Sequence, residues 1–91
     1  LGDVKYHLGY TSERTTLKNK EVVLSLLPNP SHLEAVSPLV EGITRAKIDE
    51  PDNGIEEESI SPILIHGDAS IAGQGVVYEV IQMSKLRGYK T

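Results

Sequence analysis

Four apolar blocks lie along the chain, and they alternate between two spacings. Glu21-Val22-Val23-Leu24-Ser25-Leu26-Leu27 is dense in branched apolar residues and stops at Pro28-Asn29-Pro30, the pattern of a β-strand. Its nearly continuous apolarity predicts a strand covered on both faces. Leu39, Val40, Ile43, Ala46 and Lys47 follow at helical spacing, which predicts a helix with Ser37 as N-cap, Pro38 at the first helical position and an end near Asp49. Residues 60–65 read as a second strand, and residues 75–86 as a second helix, with Gly88 as its stop and Lys85 and Arg87 placed favourably in the last turn.

Between these blocks the chain is polar. Residues 1–20 carry little periodicity and read as loop, with Val4-Lys5-Tyr6-His7-Leu8 at most a short strand or turn. Ser31-His32-Leu33-Glu34 has the spacing of a capping box, in which the Ser hydroxyl and the Glu carboxylate satisfy each other's free amides, so residues 31–36 are predicted to form a short turn. Residues 51–59, with the run Glu56-Glu57-Glu58, read as an acidic surface loop.

The order strand, helix, strand, helix predicts an α/β fold with parallel strands joined by right-handed crossovers. Two strands cannot cover both helices, so the rest of the sheet is expected from outside these residues. Composition agrees: among 91 residues there is no Trp, Phe or Cys and only four Tyr. A chain this short buries only ~60 to 65% of the surface exposed when unfolded. The stretch therefore reads as a piece of a larger domain. The start Leu1-Gly2-Asp3, without Met or a basic-then-apolar segment, predicts further sequence upstream and no signal peptide.

A net charge of -4, spread along the chain, argues against a nucleic-acid partner. The apolar runs fall far short of the ~20 residues needed to span a bilayer. The absence of cysteine rules out a disulfide framework and fits a reducing compartment.

Candidate chemistry concentrates where the second strand meets the second helical region, at Ile65-His66-Gly67-Asp68-Ala69. An Asp delivered to the end of a buried strand suits a Mg²⁺ that bridges phosphate oxygens; the competing reading is a helix N-cap. Gly67, Ala69, Ala72, Gly73 and Gly75 favour close approach of backbone amides to a diphosphate. The pattern is neither a Walker loop nor G-x-G-x-x-G. His32, after the first strand, is expected on the same rim of the sheet, as a proton-shuttling or carboxylate-binding group or else as an ordinary surface residue. His66 is expected to hydrogen-bond within the fold, and His7 has no assigned role. No nucleophilic triad or zinc pattern is present.

Three strings carry a resemblance: residues 2–9, residues 27–36 (Leu-Pro-Asn-Pro-Ser-His-Leu-Glu-Ala-Val) and residues 65–77. Together they closely resemble the thiamine-diphosphate-dependent decarboxylase component of 2-oxoglutarate dehydrogenase complexes, over nearly the whole chain except residues 15–20 and 51–59. The resemblance implies that residues 1–91 are part of a parallel-sheet cofactor-binding α/β domain. It implies the cofactors thiamine diphosphate and Mg²⁺, with Asp68 as metal ligand, Gly67 and Ala69 beside the diphosphate, His32 at the reacting carbons of the substrate, and Leu33 as a pocket neighbour.

The implied reaction is oxidative decarboxylation of 2-oxoglutarate in the citric acid cycle, with the succinyl unit passed to a lipoyl-bearing succinyltransferase component. A homodimer is implied as well, in a bacterial cytoplasm or a mitochondrial matrix. Two alternatives stay open: the related enzyme acting on 2-oxoadipate, and a non-enzymatic phosphate-binding α/β module. The family's metal motif closes with an Asn some thirty residues beyond the Asp, and its upstream His-Arg-Gly-Arg segment is not in these residues, so this stretch by itself is expected to be inactive.

Overall fold

The computed structural model describes Gly2, residues 4–52 and residues 54–90. Leu1, Asp3 and Thr91, at the two ends, and Asn53, within the predicted acidic loop, lie outside the described residues. The elements in order are α1 (Lys5–Leu8), β1 (Tyr10–Thr15), β2 (Glu21–Leu26), α2 (Ser37–Asp49), a 3₁₀ turn at Glu57–Ser59, α3 (Asp68–Gly73) and α4 (Val76–Met83). They fall into two compact units, Leu1–His32 and Leu33–Thr91.

The first unit is built on a hairpin. β1 and β2 pair antiparallel, with Tyr10 opposite Leu26 and Thr15 opposite Glu21. The connection closes through the Thr16 amide to the Lys20 carbonyl at 2.8 Å, with Asn19 in the left-handed region at φ 55°. Asn is the residue type that tolerates that conformation best after glycine. Gly9 precedes β1 at φ 71°, and a Cβ there would stand 2.8 Å from Pro28 Cδ and 3.0 Å from the Leu26 carbonyl oxygen. Only glycine lets the two ends of the hairpin come this close.

This pairing corrects two sequence expectations. β2 lies where a strand is predicted, but its neighbour is an antiparallel strand from the supposed loop. Thr11-Ser12-Glu13-Arg14-Thr15 has no apolar face to betray a strand; what makes it one is the backbone ladder to β2, closed by a tight turn. Nor is β2 covered on both faces. All six of its residues are exposed, Val23 at 64%. Where at most a short strand or turn is expected at Val4–Leu8, residues Lys5–Leu8 form the single helical turn α1.

In the second unit α2 matches its predicted span, with Val36 rather than Ser37 at the N-cap and Pro38 in the first turn, where its missing amide is harmless. It packs against α4. Residues 60–65 do not form the expected strand. The flanks are extended, Ile60 at φ -130° and ψ 137° and Gly67 at φ -84° and ψ 148°, but no ladder forms among the described residues. A strand is defined by bonds to a neighbour, and Pro62 lacks one of the donors needed. The parallel strand-helix-strand-helix order is thus not formed within these residues, and the observed sheet is the two-stranded antiparallel one.

α4 opens after Gly75, at φ 81°, and ends at Met83, earlier than predicted. The Ser84 hydroxyl donates to the Ile81 carbonyl at 2.6 Å, and looser turns follow through residue 89, so Gly88 is not the stop. Within the acidic loop the Glu56 amide donates to Ser59 Oγ at 3.0 Å, which anchors the 3₁₀ turn.

Burial is unusual in kind. Among the described residues no apolar side chain is buried, while Glu34, Ser37 and Ser70 are. The interior of the second unit is polar, and that fact positions the site.

Candidate functional site

Glu34 is the centre of the second unit. Its side chain is 3% exposed, and its backbone adopts φ 67°, a region that residues with a Cβ seldom enter. One carboxylate oxygen, Oε1, accepts from Ser70 Oγ at 2.7 Å. The other, Oε2, lies 2.5 Å from His66 Nδ1 and also accepts from Ser37 Oγ at 3.5 Å. The carboxylate thereby ties together the start of α2, the extended segment before Gly67 and the first turn of α3.

A carboxylate only accepts, so the short contact requires a proton on His66 Nδ1. Ser70 has one hydroxyl proton and two acceptors in reach, Glu34 Oε1 at 2.7 Å and the Gly67 carbonyl at 3.1 Å. The shorter and charge-assisted bond takes it. The Ser70 hydroxyl bond is the largest influence holding the Glu34 carboxyl below its ordinary value; burial opposes it, and the bond and positive charge of His66 reinforce it. His66 also lines a cavity of about 290 Å³ whose other walls are largely apolar, with Leu64, Ile71, Val77 and Val80 among them.

The predicted site residues are placed as follows. Gly67 is the N-cap of α3, which makes Asp68 the first residue of the helix rather than its cap. Asp68 Oδ1 accepts from the Ala69 amide at 2.9 Å. Oδ2 has no partner among the described residues, and the side chain is exposed. A Cβ on Gly67 would lie 3.2 Å from Ser70 Oγ, so the absence of a side chain there keeps the turn compact. Leu33 opens the second unit and is exposed. His32 closes the first unit, next to Ser31, whose Oγ sits 3.3 Å from His7 Nε2.

The Ser31–Glu34 capping box does not form. The Glu34 carboxylate is drawn to partners 32 and 36 residues away. Sequence reasoning missed Glu34 for that reason, since a local motif accounted for its carboxylate and nothing in the spacing points to Ser70. The expectation that His66 bonds within the fold is met.

The whole of the chain, residues 1–91, matches the family described as dehydrogenase E1 component. The chain belongs to that family. Among similar proteins, it is 53% identical over 89 residues to the "Oxoglutarate dehydrogenase" of Buchnera aphidicola, covering 98% of this chain and 10% of that protein. It is 54% identical over 90 residues to the "2-oxoglutarate dehydrogenase, mitochondrial" of Dictyostelium discoideum, covering 99% and 9%. It is also 52% identical over 89 residues to the "2-oxoglutarate dehydrogenase E1/E2 component" of Corynebacterium glutamicum, covering 97% and 7%. The chain thus spans a tenth or less of the length of these curated relatives. No helix among the described residues is long and apolar enough to cross a membrane.

The residues of this E1-family chain suit a Mg²⁺-bound diphosphate as one part of its shell. Among the described residues no group of three or more His, Cys, Asp or Glu is arranged to hold a metal. Mg²⁺ bound through phosphates, however, needs only one or two carboxylates and keeps waters. Asp68, exposed with one oxygen unengaged, meets that requirement.

Proposed function

We propose that this chain is part of the cofactor-binding α/β domain of a 2-oxoglutarate dehydrogenase first component. What carries the reading is identity above 50%, over nearly all of the chain, to proteins named oxoglutarate or 2-oxoglutarate dehydrogenase from two bacteria and a mitochondrion. The exposed apolar surface supports it physically. Ile63 and Ile65 are 75% and 93% exposed, and Val23 and Leu24 lie bare on β2, so these side chains await cover from further parts of a larger globule. In that setting the extended segment at 60–65 finds the neighbours it needs to become a strand of a parallel sheet.

Bound thiamine diphosphate supplies the electron sink for decarboxylating a 2-oxo acid. The residues of this chain have separate tasks. Asp68 gives a carboxylate oxygen to Mg²⁺, while Gly67 and Ala69, lacking bulk, let the backbone come close to the diphosphate. His32 binds the 2-oxoglutarate or moves a proton at its reacting end, and Leu33 borders the substrate. The succinyl unit then passes to a lipoyl group on a succinyltransferase component, a partnership in keeping with the E1/E2 name of the Corynebacterium relative. A homodimer, in a bacterial cytoplasm or a mitochondrial matrix, completes the proposal.

Asp68→Ala in the full-length enzyme is expected to weaken Mg²⁺–thiamine diphosphate binding by about a hundredfold or more. Calorimetry showing wild-type affinity would overturn the assignment. His32→Ala should lower kcat far more than cofactor affinity, and steady-state kinetics with unchanged kcat would remove it from the site.

A further inference from the structure

We infer that Glu34 is a positioning residue: its buried carboxylate clamps the His66-Gly67-Asp68 turn from both sides and presets Asp68 for Mg²⁺–diphosphate. The inference rests on the Asp68 reading above.

Four observations lead to it. The turn that carries Asp68 has no ladder to hold it, because residues 60–67 have no strand partners among the described residues. α3 is a short helix of six residues, too brief to be stable on its own backbone bonds. The long-range bonds that reach the turn converge on one carboxylate, His66 Nδ1 at 2.5 Å before it and Ser70 Oγ at 2.7 Å after it. These two residues bracket Gly67, Asp68 and Ala69, so the carboxylate grips the segment at both ends.

The fourth observation is that Glu34 holds this position with its backbone at φ 67°. A strained backbone persists when the surroundings over-determine it, and such strain concentrates where a site must be held. A residue that merely filled space would not need a carboxylate here. The two donors meet two different oxygens, and among side chains of this length only the carboxyl group carries two. An amide in its place has one oxygen and no charge, so Glu34→Gln accepts from only one of the two donors and loses the charge assistance of both bonds.

The test uses the full-length enzyme without cofactor, then titrated with thiamine diphosphate at fixed Mg²⁺ in a calorimeter. Glu34→Gln is expected to weaken cofactor binding about tenfold. Peptide-resolved hydrogen exchange of the cofactor-free enzyme should show faster exchange confined to residues 66–71 and the start of α2. A role limited to general stability would spread that effect and leave the affinity of the folded protein unmoved. Affinity within twofold of wild type, or exchange accelerated throughout, overturns the inference.

Ser70→Ala covers the case in which Glu34→Gln does not fold. It removes one grip, and it should weaken binding by about threefold or more; a value within twofold of wild type again overturns the clamp. Asp68→Ala in the same titration separates the two ideas. Wild-type affinity there sinks the Asp68 reading itself, whereas loss in Asp68→Ala with none in Glu34→Gln sinks only the clamp.

Discussion

The two units of this chain are held by opposite means. In the first, backbone does the holding: a six-pair antiparallel ladder, a turn closed at Asn19 and a glycine pressed against Pro28, with no buried side chain among the described residues. In the second, side chains do it, through one carboxylate whose three donors come from three separate stretches. A ladder tolerates many side-chain changes because its bonds belong to the main chain. A polar knot does not, since each member is left unsatisfied in a low-dielectric place when its partner is removed.

Removing the knot's centre should break the contrast most. Glu34→Ala leaves Ser70, His66 and Ser37 without their acceptor, and amide exchange over residues 66–71 should accelerate about tenfold or more while the hairpin at 10–26 keeps its protection. Equal acceleration in both stretches would show that the units do not differ as described. The matching attack on the first unit is Gly9→Ala. A Cβ at φ 71° that also meets Pro28 at 2.8 Å should cost the hairpin roughly 2 kcal/mol, read as lost protection at 10–26 with residues 66–71 untouched.

Acid separates the units more gently. The Glu34 carboxyl is lowered when folded, first by the Ser70 hydroxyl bond, against the opposition of burial and with help from His66. A depressed carboxyl contributes stability that is fully present above its unfolded value and is lost as the pH falls through the folded one. Protection of residues 66–71 should therefore fade as the pH drops below 4.5, the group's ordinary value, through that lowered folded value. The hairpin ladder consists of backbone amides and carbonyls, which do not titrate there. Exchange measured along a pH series checks this, and a fade beginning well above that value would contradict it.

The smallest effect belongs to Arg45→Ala, which removes the exposed i,i+4 pair with Asp49 on α2. Such pairs contribute little in water. No change in melting is expected, and a clear drop would mean that α2 depends on its surface charges more than on its packing against α4.

Legibility followed the range of the forces. β2, α2 and the core of α4 could be read because branched apolar density, proline at a helix start and helical spacing act within a few residues. β1 was hidden, since a strand of Thr, Ser, Glu and Arg becomes one only when a partner presents its ladder. Residues 60–65 had the composition of a strand and lacked the neighbour. Gly67, Asp68 and Ala69 stood out as a strand-to-helix turn, but the apparent choice of Asp68 as cap went to Gly67 once the helix formed.

By itself the sequence determined the family, since identity spread over the whole chain needs no coordinates, and it determined those elements whose signals are local. Tertiary structure alone decided where the Glu34 carboxylate goes. The capping partner three residues away lost to Ser70 and His66, because a charge taken out of water demands several well-placed donors, and only the folded chain brings donors from 32 and 36 residues away to one place.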